Sequence, residues 1–328
     1  MVSKQKQMKN ILIFKTDRLG DLLNISAVIY NLKLNFPECK ITLVCSNYNK
    51  SIASYYENDL NIIIYDKPLI VFLFKNYLSL NKNNFDLILQ LDGKNHSYIS
   101  SILLNATTKA CIKYIKNKKF FNKLISVSRP NFLINNFFDK NEISYENYDL
   151  SDNNKYHYLS LYLNLLKNLN IKIFSKDHYL PFKNPVNQSN FNESYFLFHI
   201  DQRWEAFEPI TQNLLNDKIL SLSKNNKIVI TSNLGNNKIF NFLKTKLENN
   251  NNVQIVESPD LNKILSLIYY SNTCVSSHSG LIVHAAAAFK KNIIDLVSPS
   301  INNELDRWIP FNINYKRFDI NNFYNFDF

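Results

Sequence analysis

Two carboxylates stand in a short polar segment, Lys15 to Asp21, that follows an apolar run near the start of the chain. Asp21 comes directly after Gly20, where a helix is predicted to begin, and the positive end of a helix dipole keeps a carboxylate ionised. An ionised carboxylate at such a position is a suitable general base for an alcohol. Three alternatives stay open: Asp21 only caps the helix, Asp17 is the reactive carboxylate, or Asp17 simply forms an ion pair with Arg18.

Arg203 is a candidate ligand for a phosphate group. It follows closely on the strand predicted for Tyr195 to His199, and it is one of only five arginines in the chain. A guanidinium offers two parallel N–H donors, which favours binding of an anionic ligand. The alternative is an ion pair between Arg203 and Asp201, with the Trp204 ring packed beneath it.

An alanine-rich helix is preceded by the turn Ser277-His278-Ser279-Gly280-Leu281. The first N–H groups of a helix lack intrahelical partners and carry a partial positive charge, so this turn is suited to a phosphate. We expect His278, within the turn, to face a binding cleft. His284, further along the helix, is expected to be a core histidine with one hydrogen bond.

Glycine is rare in this chain, so its positions are informative. Average usage would give roughly 23 glycines, but there are four, namely Gly20, Gly93, Gly235 and Gly280. Their separation excludes dinucleotide-binding, Walker A and nucleophile-elbow motifs, which need glycines close together. All four lie at the ends of predicted strands, where ligands bind in open α/β sheets. The alternative for each is a tight turn with a positive φ and no ligand.

The elements that position these residues alternate between strand and helix. Strands are predicted at residues 11–14, 41–45, 61–65, 85–89, 195–199, 227–231, 254–256, 273–276 and 292–297. The strand at 227–231 breaks at Ser232-Asn233-Leu234-Gly235, which adds Ser232 and Gly235 to the candidate ligand-binding residues. A helix is predicted from Leu22 to Phe36, before Pro37. Strand–helix–strand units imply parallel strands with right-handed crossovers.

The chain length of 328 residues fits two domains. Residues 181–194 carry two prolines and no periodicity, and they predict a linker between domains at 1–180 and 195–328. We therefore predict an α/β protein with two Rossmann-like open parallel sheets that face each other across a cleft.

The composition is that of a soluble globular protein, with 45% apolar and 20% charged residues. The net charge of +11 comes mostly from dispersed lysines without a base-stacking motif, which argues against a nucleic-acid partner. The four cysteines show no Cys-x-x-Cys spacing and suit a reducing compartment. The polar N-terminus and the short apolar stretch Leu69 to Phe74 predict a cytoplasmic protein without signal peptide or membrane span.

Metal-binding motifs are missing from the sequence. No Asp-x-Asp pair occurs among the 17 aspartates, and there is no His-Glu-x-x-His motif. The sequence therefore predicts chemistry without a metal and without another cofactor.

Several of these segments together resemble glycosyltransferase family 9, the ADP-heptose:lipopolysaccharide heptosyltransferases. The resemblance begins with residues 11–37, including Lys15-Thr16-Asp17-Arg18-Leu19-Gly20-Asp21, and continues through residues 85–93. It resumes at residues 227–235 and is clearest at residues 261–299, where Ser277-His278-Ser279-Gly280-Leu281 stands in place of the family's Asp-Thr-Gly-Leu.

This resemblance implies a GT-B fold and an inverting, metal-independent transfer of a sugar from a nucleotide donor. It implies that Asp21 is the catalytic base in an acceptor-side domain, and that Ser279, Gly280 and Leu281 bind the donor phosphates in the second domain. Arg203 lies near the position of the family's basic phosphate ligand. The donor would be a nucleotide sugar, with ADP as a possible nucleotide, and the acceptor lipopolysaccharide or another cell-surface glycan. Two positions depart from the family: His278 replaces its Asp, and its following His is shifted by one residue to His284.

A lipid-linked acceptor would place the protein on the inner face of the inner membrane. Residues 109–124 contain six lysines interleaved with apolar and aromatic residues, which suits an anionic bilayer surface. The alternative is an ordinary solvated surface. A second hypothesis for the whole chain is a non-catalytic protein that binds nucleotide sugars or phosphosugars on the same fold.

Overall fold

A computed structural model of the protein describes residues 7–65, 68–120, 123–128, 131–146, 157–183, 185–207, 211–233, 237–298 and 303–319. The chain divides into two compact units, Met1–Lys176 and Asp177–Phe328. Residues 181–194 group with the second unit, where the Ser266 hydroxyl donates to the Val186 carbonyl at 2.6 Å.

The first unit is an α/β unit in which helices alternate with strands. Its elements are β1 (Asn10–Phe14), α1 (Leu19–Asn24), α2 (Ser26–Asn35), β2 (Lys40–Ser46), α3 (Lys50–Ala53), a 3₁₀ turn (Ser54–Tyr56), β3 (Asn61–Tyr65), α4 (Leu69–Asn81), β4 (Phe85–Gln90), α5 (Asn95–Leu103), β5 (Ala106–Phe120), β6 (Lys123–Ser128), α6 (Asn131–Phe137), β7 (Lys140–Glu146) and α7 (Tyr158–Asn168).

The strands of the first unit form one sheet in the order β3-β2-β1-β4-β5-β6, and β7 also pairs with β5. Pairing is parallel except between β5 and β6. Ile11, Leu12, Ile13 and Phe14 of the central strand β1 are each 0% exposed, as expected for a strand covered on both faces. The chain order reverses between β1 and β4, so the loops after these two strands diverge and leave room for a ligand.

The second unit repeats this design with a fully parallel sheet. Its elements are β8 (Tyr195–Ile200), a 3₁₀ turn (Gln202–Phe207), α8 (Thr211–Ser223), β9 (Lys227–Ser232), α9 (Lys238–Leu247), β10 (Val253–Glu257), α10 (Leu261–Tyr270), β11 (Ser271–Ser276), α11 (Gly280–Ala288), β12 (Asn292–Val297), a 3₁₀ turn (Asn303–Trp308) and β13 (Tyr315–Asp319). The strand order is β10-β9-β8-β11-β12-β13, and the reversal lies between β8 and β11.

The α/β prediction with two open, mainly parallel sheets is confirmed. All nine predicted strands are present, with ends that differ by at most two residues. The single helix predicted from Leu22 to Phe36 is wrong, because the chain forms α1 and α2 instead. The break lies at Ile25, whose N–H donates to the Leu22 carbonyl at 3.2 Å in a tighter turn.

No helix in the described part of the chain is both long and apolar enough to span a bilayer.

Candidate active site

Asp21 occupies the third position of helix α1, at the carboxyl end of the first sheet. Its Oδ2 accepts the backbone N–H of Arg18 at 3.3 Å, so the expected capping role is present. The carboxylate is only half-buried, and Gly20 beside it is buried within the same first turn. A half-buried carboxylate at the start of a helix remains accessible to an acceptor hydroxyl, so capping and proton abstraction are compatible.

Asp17, the competing carboxylate, is held by a buried lysine. The ammonium group of Lys15, 1% exposed, lies 3.1 Å from Asp17 Oδ2 and donates as well to the Tyr162 hydroxyl at 3.0 Å. Burial is the largest single effect on Lys15 and disfavours its charge, but Asp17, Tyr114, Asp21 and Asp92 together outweigh it, so the pKa of Lys15 is raised. Burial also raises the pKa of Asp17, against the opposing effect of the Lys15 ammonium.

Asp92 ties together the two loops that diverge at the reversal in the first sheet. Its fully buried carboxylate accepts the Thr16 N–H at 2.7 Å and the Thr16 hydroxyl at 2.8 Å, both from the loop after β1. It also accepts the Ser97 hydroxyl at 2.9 Å and the Lys94 N–H at 3.0 Å, both from the segment after β4. Sequence reasoning assigned Asp92 no role, although an acidic residue two positions after a buried strand is a usable signal.

Thr16 also connects Asp92 to a histidine. The Thr16 hydroxyl donates to Asp92 and lies 2.8 Å from Nε2 of His96, whose ring stacks on Tyr65 with centroids 4.0 Å apart. These contacts fix the loop that carries Asp17 and leads into helix α1. The position of Asp21 therefore rests on buried polar contacts made by residues 76 positions apart in sequence.

Arg203 lies in the 3₁₀ turn after β8. Its side chain reaches the turn after β11, the strand that neighbours β8 where the strand order reverses. Its Nη1 donates to Asp201 Oδ2 at 2.8 Å, so the ion pair proposed as an alternative is present. The same Nη1 donates to the His278 carbonyl at 3.0 Å, which ties the turn after β8 to the turn after β11. The Arg203 side chain is 40% exposed, so the guanidinium carries its charge to the protein surface beside the start of α11.

The turn that carries the Arg203–Asp201 ion pair packs on a buried tryptophan. Trp204 is 0% exposed and donates its indole N–H to the His199 carbonyl at 2.9 Å, as expected for a ring packed beneath the turn. Burial raises the pKa of Asp201, whereas the neighbouring Arg203 lowers it. Burial, and then the charge of Arg203, lower the pKa of His199 to about 4, so this histidine is neutral at pH 7.

His278 is held by a buried carboxylate that sequence reasoning did not identify. Its backbone N–H donates to Asp295 Oδ1 at 3.1 Å, and its Nδ1 lies 2.6 Å from Asp295 Oδ2. The Ser276 and Tyr315 hydroxyls, each at 2.8 Å, donate to the same carboxylate. His278 has a φ of 51°, a left-handed conformation in which histidine is enriched among residues other than glycine.

The other predicted ligands of this unit fall into three groups. Ser279, the N-cap of α11, is buried, and Gly280 and Leu281, the first residues of this helix, are half-buried. Ser232, the last residue of β9, is fully buried, and its carbonyl accepts the Ser258 N–H at 2.8 Å. Gly235 lies outside the described residues.

Two further expectations can be judged from these positions. His284 is 2% exposed and stacks on His178 with centroids 4.9 Å apart, so its assignment to the core is confirmed. Gly20, Gly93 and Gly280 all have a negative φ, so the positive φ expected in the tight-turn alternative is not found at these three, and their role in ligand binding stays a prediction. At Gly93 the requirement is space, because a Cβ atom would lie 3.0 Å from the Tyr114 ring.

No group of three or more His, Cys, Asp or Glu side chains suited to a metal ion occurs in the parts of the chain listed above as described. Independence of metal stays a prediction.

The fold is shared with solved structures of known enzymes. A glycosyltransferase family 9 protein from Veillonella parvula aligns with a TM-score of 0.69 at 15% identity, over 97% of this chain and 88% of that one. The E. coli heptosyltransferase WaaC with ADP-2-deoxy-2-fluoro heptose aligns with a TM-score of 0.67 at 16% identity, over 94% and 92%. A UDP-GlcNAc 2-epimerase from Methanocaldococcus jannaschii aligns with 0.56 at 14% identity, over 95% and 89%.

The resemblance to glycosyltransferase family 9 is therefore confirmed at the level of the fold, which is GT-B-like. No family model matches the sequence. In sequence, Protein Ycf2 from Physcomitrium patens is 29% identical over 299 residues, which are 82% of this chain. The chain spans only 12% of that protein's length.

Proposed function

We propose that the protein is an inverting glycosyltransferase that moves a sugar from a nucleotide-sugar donor to a hydroxyl acceptor without a metal ion. The observation that carries this proposal is the meeting of Arg203, the start of α11 and the Asp295-held His278 at the reversal of the second sheet. The fold likeness supports it, because the WaaC structure contains an ADP-heptose analogue and the epimerase named above is an enzyme of UDP-GlcNAc.

The second unit would hold the donor diphosphate. The N–H groups at Ser279, Gly280 and Leu281 are the unpaired donors of a helix start, and they suit phosphate oxygens. Arg203 adds a guanidinium whose Nη1 is anchored to Asp201 and to the His278 carbonyl, which leaves its other nitrogens for the ligand. These fixed donors would stabilise the charge that develops on the leaving nucleotide.

His278 would add a further donor to the leaving group. Its Nδ1–H is engaged by the Asp295 carboxylate, so Nε2 is the ring nitrogen that remains, and it would donate to a phosphate oxygen in the imidazolium form, in which both ring nitrogens carry a proton. Where the resembling family has an aspartate, this chain thus presents an imidazole. This difference favours a donor sugar other than the family's heptose, or a different set of contacts to it.

The first unit would supply the base. Asp21 would take the proton of the acceptor hydroxyl, which then attacks the anomeric carbon from the face opposite the nucleotide, so that the configuration inverts. Asp17 is less suited, because its carboxylate is committed to the buried Lys15 ammonium. A glycan of the cell surface such as lipopolysaccharide is the proposed acceptor, reached from the cytoplasmic side of the membrane.

A non-catalytic binder of nucleotide sugars is the second candidate, and the histidine at position 278 is the observation that favours it. Incubation with a panel of nucleotide sugars separates the two, with release of free nucleotide measured over time and binding measured by thermal shift. Slow release that is abolished by Asp21→Asn supports the transferase. Binding without any release, with or without candidate glycan acceptors, contradicts it and supports the binder.

A further inference from the structure

Helix α4 carries large apolar side chains on two opposite faces. One face packs on the first sheet, where Phe72 is 0% and Leu80 2% exposed within a core that includes Leu12 and Phe14. On the other face Ile70, Phe74 and Leu78 are 70%, 90% and 73% exposed, and Tyr77 is 37% exposed. The outer side chains contribute little to the core, so folding of the unit does not explain them.

The four outer side chains form one continuous stripe. They stand at spacings of four, seven and eight residues from Ile70, which places them within about 100° of the helix circumference and along about 12 Å of its length. We call Ile70, Phe74, Tyr77 and Leu78 the α4 stripe. A contiguous apolar patch of this kind on a water-exposed helix marks an interaction site.

The charged residues of helix α4 and of the turn that follows it are lysines. Lys75 and Lys82 are exposed on or just beyond the helix, and the sequence contains no Asp or Glu from Lys67 to Phe85. An amphipathic helix with Phe and Leu on its outer face and lysines beside them is typical of proteins that lie on the surface of an anionic bilayer.

We propose that the α4 stripe docks the first unit on an anionic lipid surface, with Phe74 at the level of the headgroups and acyl chains and Lys75 and Lys82 on the lipid phosphates. A second copy of the chain fits less well, because a two-fold pairing through this stripe brings the same lysines together on molecules of net charge +11. The stripe lies along the outside of one helix, a shape that matches a planar surface.

This surface differs from the one predicted at residues 109–124. There Ile112 is 0% exposed and Tyr114 is half-buried within β5, so neither of these side chains faces a bilayer. The side chains of residues 115–124 lie outside the described residues, and their role stays a prediction.

Flotation of the full chain with phospholipid vesicles tests the proposal. Vesicles of phosphatidylcholine alone are compared with vesicles that contain phosphatidylglycerol, at low and at high salt. The test variants are Ile70→Gln/Phe74→Gln/Leu78→Gln and Lys75→Gln/Lys82→Gln. The control is Val186→Gln/Leu220→Gln, which removes exposed apolar side chains of the second unit, 73% and 38% exposed. A variant with Lys113, Lys116, Lys118 and Lys119 changed to Gln tests the other segment.

We expect the wild type and the control to float with the anionic vesicles at low salt. The triple variant should lose at least about tenfold in bound fraction, because three large apolar groups no longer leave water, and the double lysine variant should lose the dependence on lipid charge. Circular dichroism and thermal melting should be unchanged, because the replaced side chains are exposed.

Equal flotation of the wild type and the triple variant overturns the proposal. Equal flotation of the wild type with neutral and with anionic vesicles also overturns it, as does a loss of flotation that occurs only in the variant of residues 113–119. Absence of flotation overturns it as well. If sedimentation instead shows a dimer that the triple variant converts to a monomer, the stripe is an interface between copies. All of these readouts measure binding, so they are independent of the proposed enzyme activity.

Discussion

Asp295 and His278 are joined by two contacts, from Asp295 Oδ1 to the His278 backbone N–H at 3.1 Å and from Oδ2 to the ring Nδ1 at 2.6 Å. One carboxylate in the middle of β12 thus fixes both the main chain and the side chain of the turn before α11. Because Asp295 is fully buried, these hydrogen bonds do not compete with water. The turn that would receive the donor phosphates is therefore held in place before any ligand binds.

Asp295→Asn should destabilise the second unit. The new amide NH₂ would face groups that donate to the carboxylate, and leaving buried donors unsatisfied costs about 1–3 kcal/mol. Tyr315→Phe is the matched control, since it removes only one of the bonds to Asp295, worth about 1 kcal/mol. Urea unfolding followed by tryptophan fluorescence reports on this unit, because both tryptophans, Trp204 and Trp308, belong to it. Equal losses for the two variants would contradict the role given to Asp295.

Arg203→Gln should weaken binding of a nucleoside diphosphate by about 10–100-fold, because hydrogen bonds to a charged group contribute about 1.5–3 kcal/mol. Isothermal titration at two salt concentrations measures the change. Lys246→Gln, on helix α9 of the same unit, removes the same charge away from the turn and should change the affinity less than twofold. If the two variants behave alike, Arg203 acts only through the overall charge.

Asp21→Asn should lower turnover by about 10²–10⁴, the range for the loss of a general base. Nucleotide affinity and melting temperature should stay close to those of the wild type, because Asn still accepts the Arg18 N–H as a helix cap. Initial rates of nucleotide release with and without acceptor give the comparison. Should Asp17→Asn abolish turnover while Asp21→Asn mainly unfolds the protein, the base has been assigned to the wrong carboxylate.

His199 should make the second unit sensitive to acid. Its pKa falls from 6.5 to about 4 in the folded protein, so the unfolded chain binds the extra proton first as the pH drops. The stabilisation is complete above about pH 6.5 and is lost progressively down to about pH 4, by about 3 kcal/mol at 1.36 kcal/mol per pH unit. Tryptophan-monitored unfolding between pH 7.5 and 4 measures it.

His199→Gln is the control for that titration, because glutamine does not ionise. The variant should be less stable than the wild type at pH 7, and the difference between the two should shrink as the pH falls. A difference that stays constant from pH 7.5 to 4 would show that His199 does not bind the proton on unfolding.

Sugar transfer should survive EDTA, because the charge of the leaving nucleotide is assigned to Arg203 and the start of α11. Turnover after exhaustive chelation should stay within twofold of the untreated protein. A tenfold loss that Mg²⁺ or Mn²⁺ restores would refute the metal-free mechanism.

Nine of the thirteen strands described above, the turns at their ends and the placement of Asp21, Arg203 and His278 at strand ends follow from sequence pattern alone, whereas β5, β6, β7 and β13 were not predicted. Each of these depends on local pattern, since a buried parallel strand is a continuous apolar run and the polar residues after it must lie at the carboxyl edge of the sheet. The ion pair of Arg203 with Asp201 was also within reach, because the two residues are neighbours in the chain.

Which residues hold these groups in place, and which side chains lie at the surface, depends on packing between elements that are distant in the chain. Asp92 meets Thr16 across 76 residues, and Asp295 meets His278 across 17, through strands whose order in the sheet is set by long-range pairing rather than by local pattern. Which side chains of the apolar run Leu69 to Phe74 are buried does not follow from its composition, because composition does not tell which side of a helix packs on the sheet. The packing of α4 on the first sheet buries Phe72, whereas Phe74, two residues further along the same helix, is exposed to water.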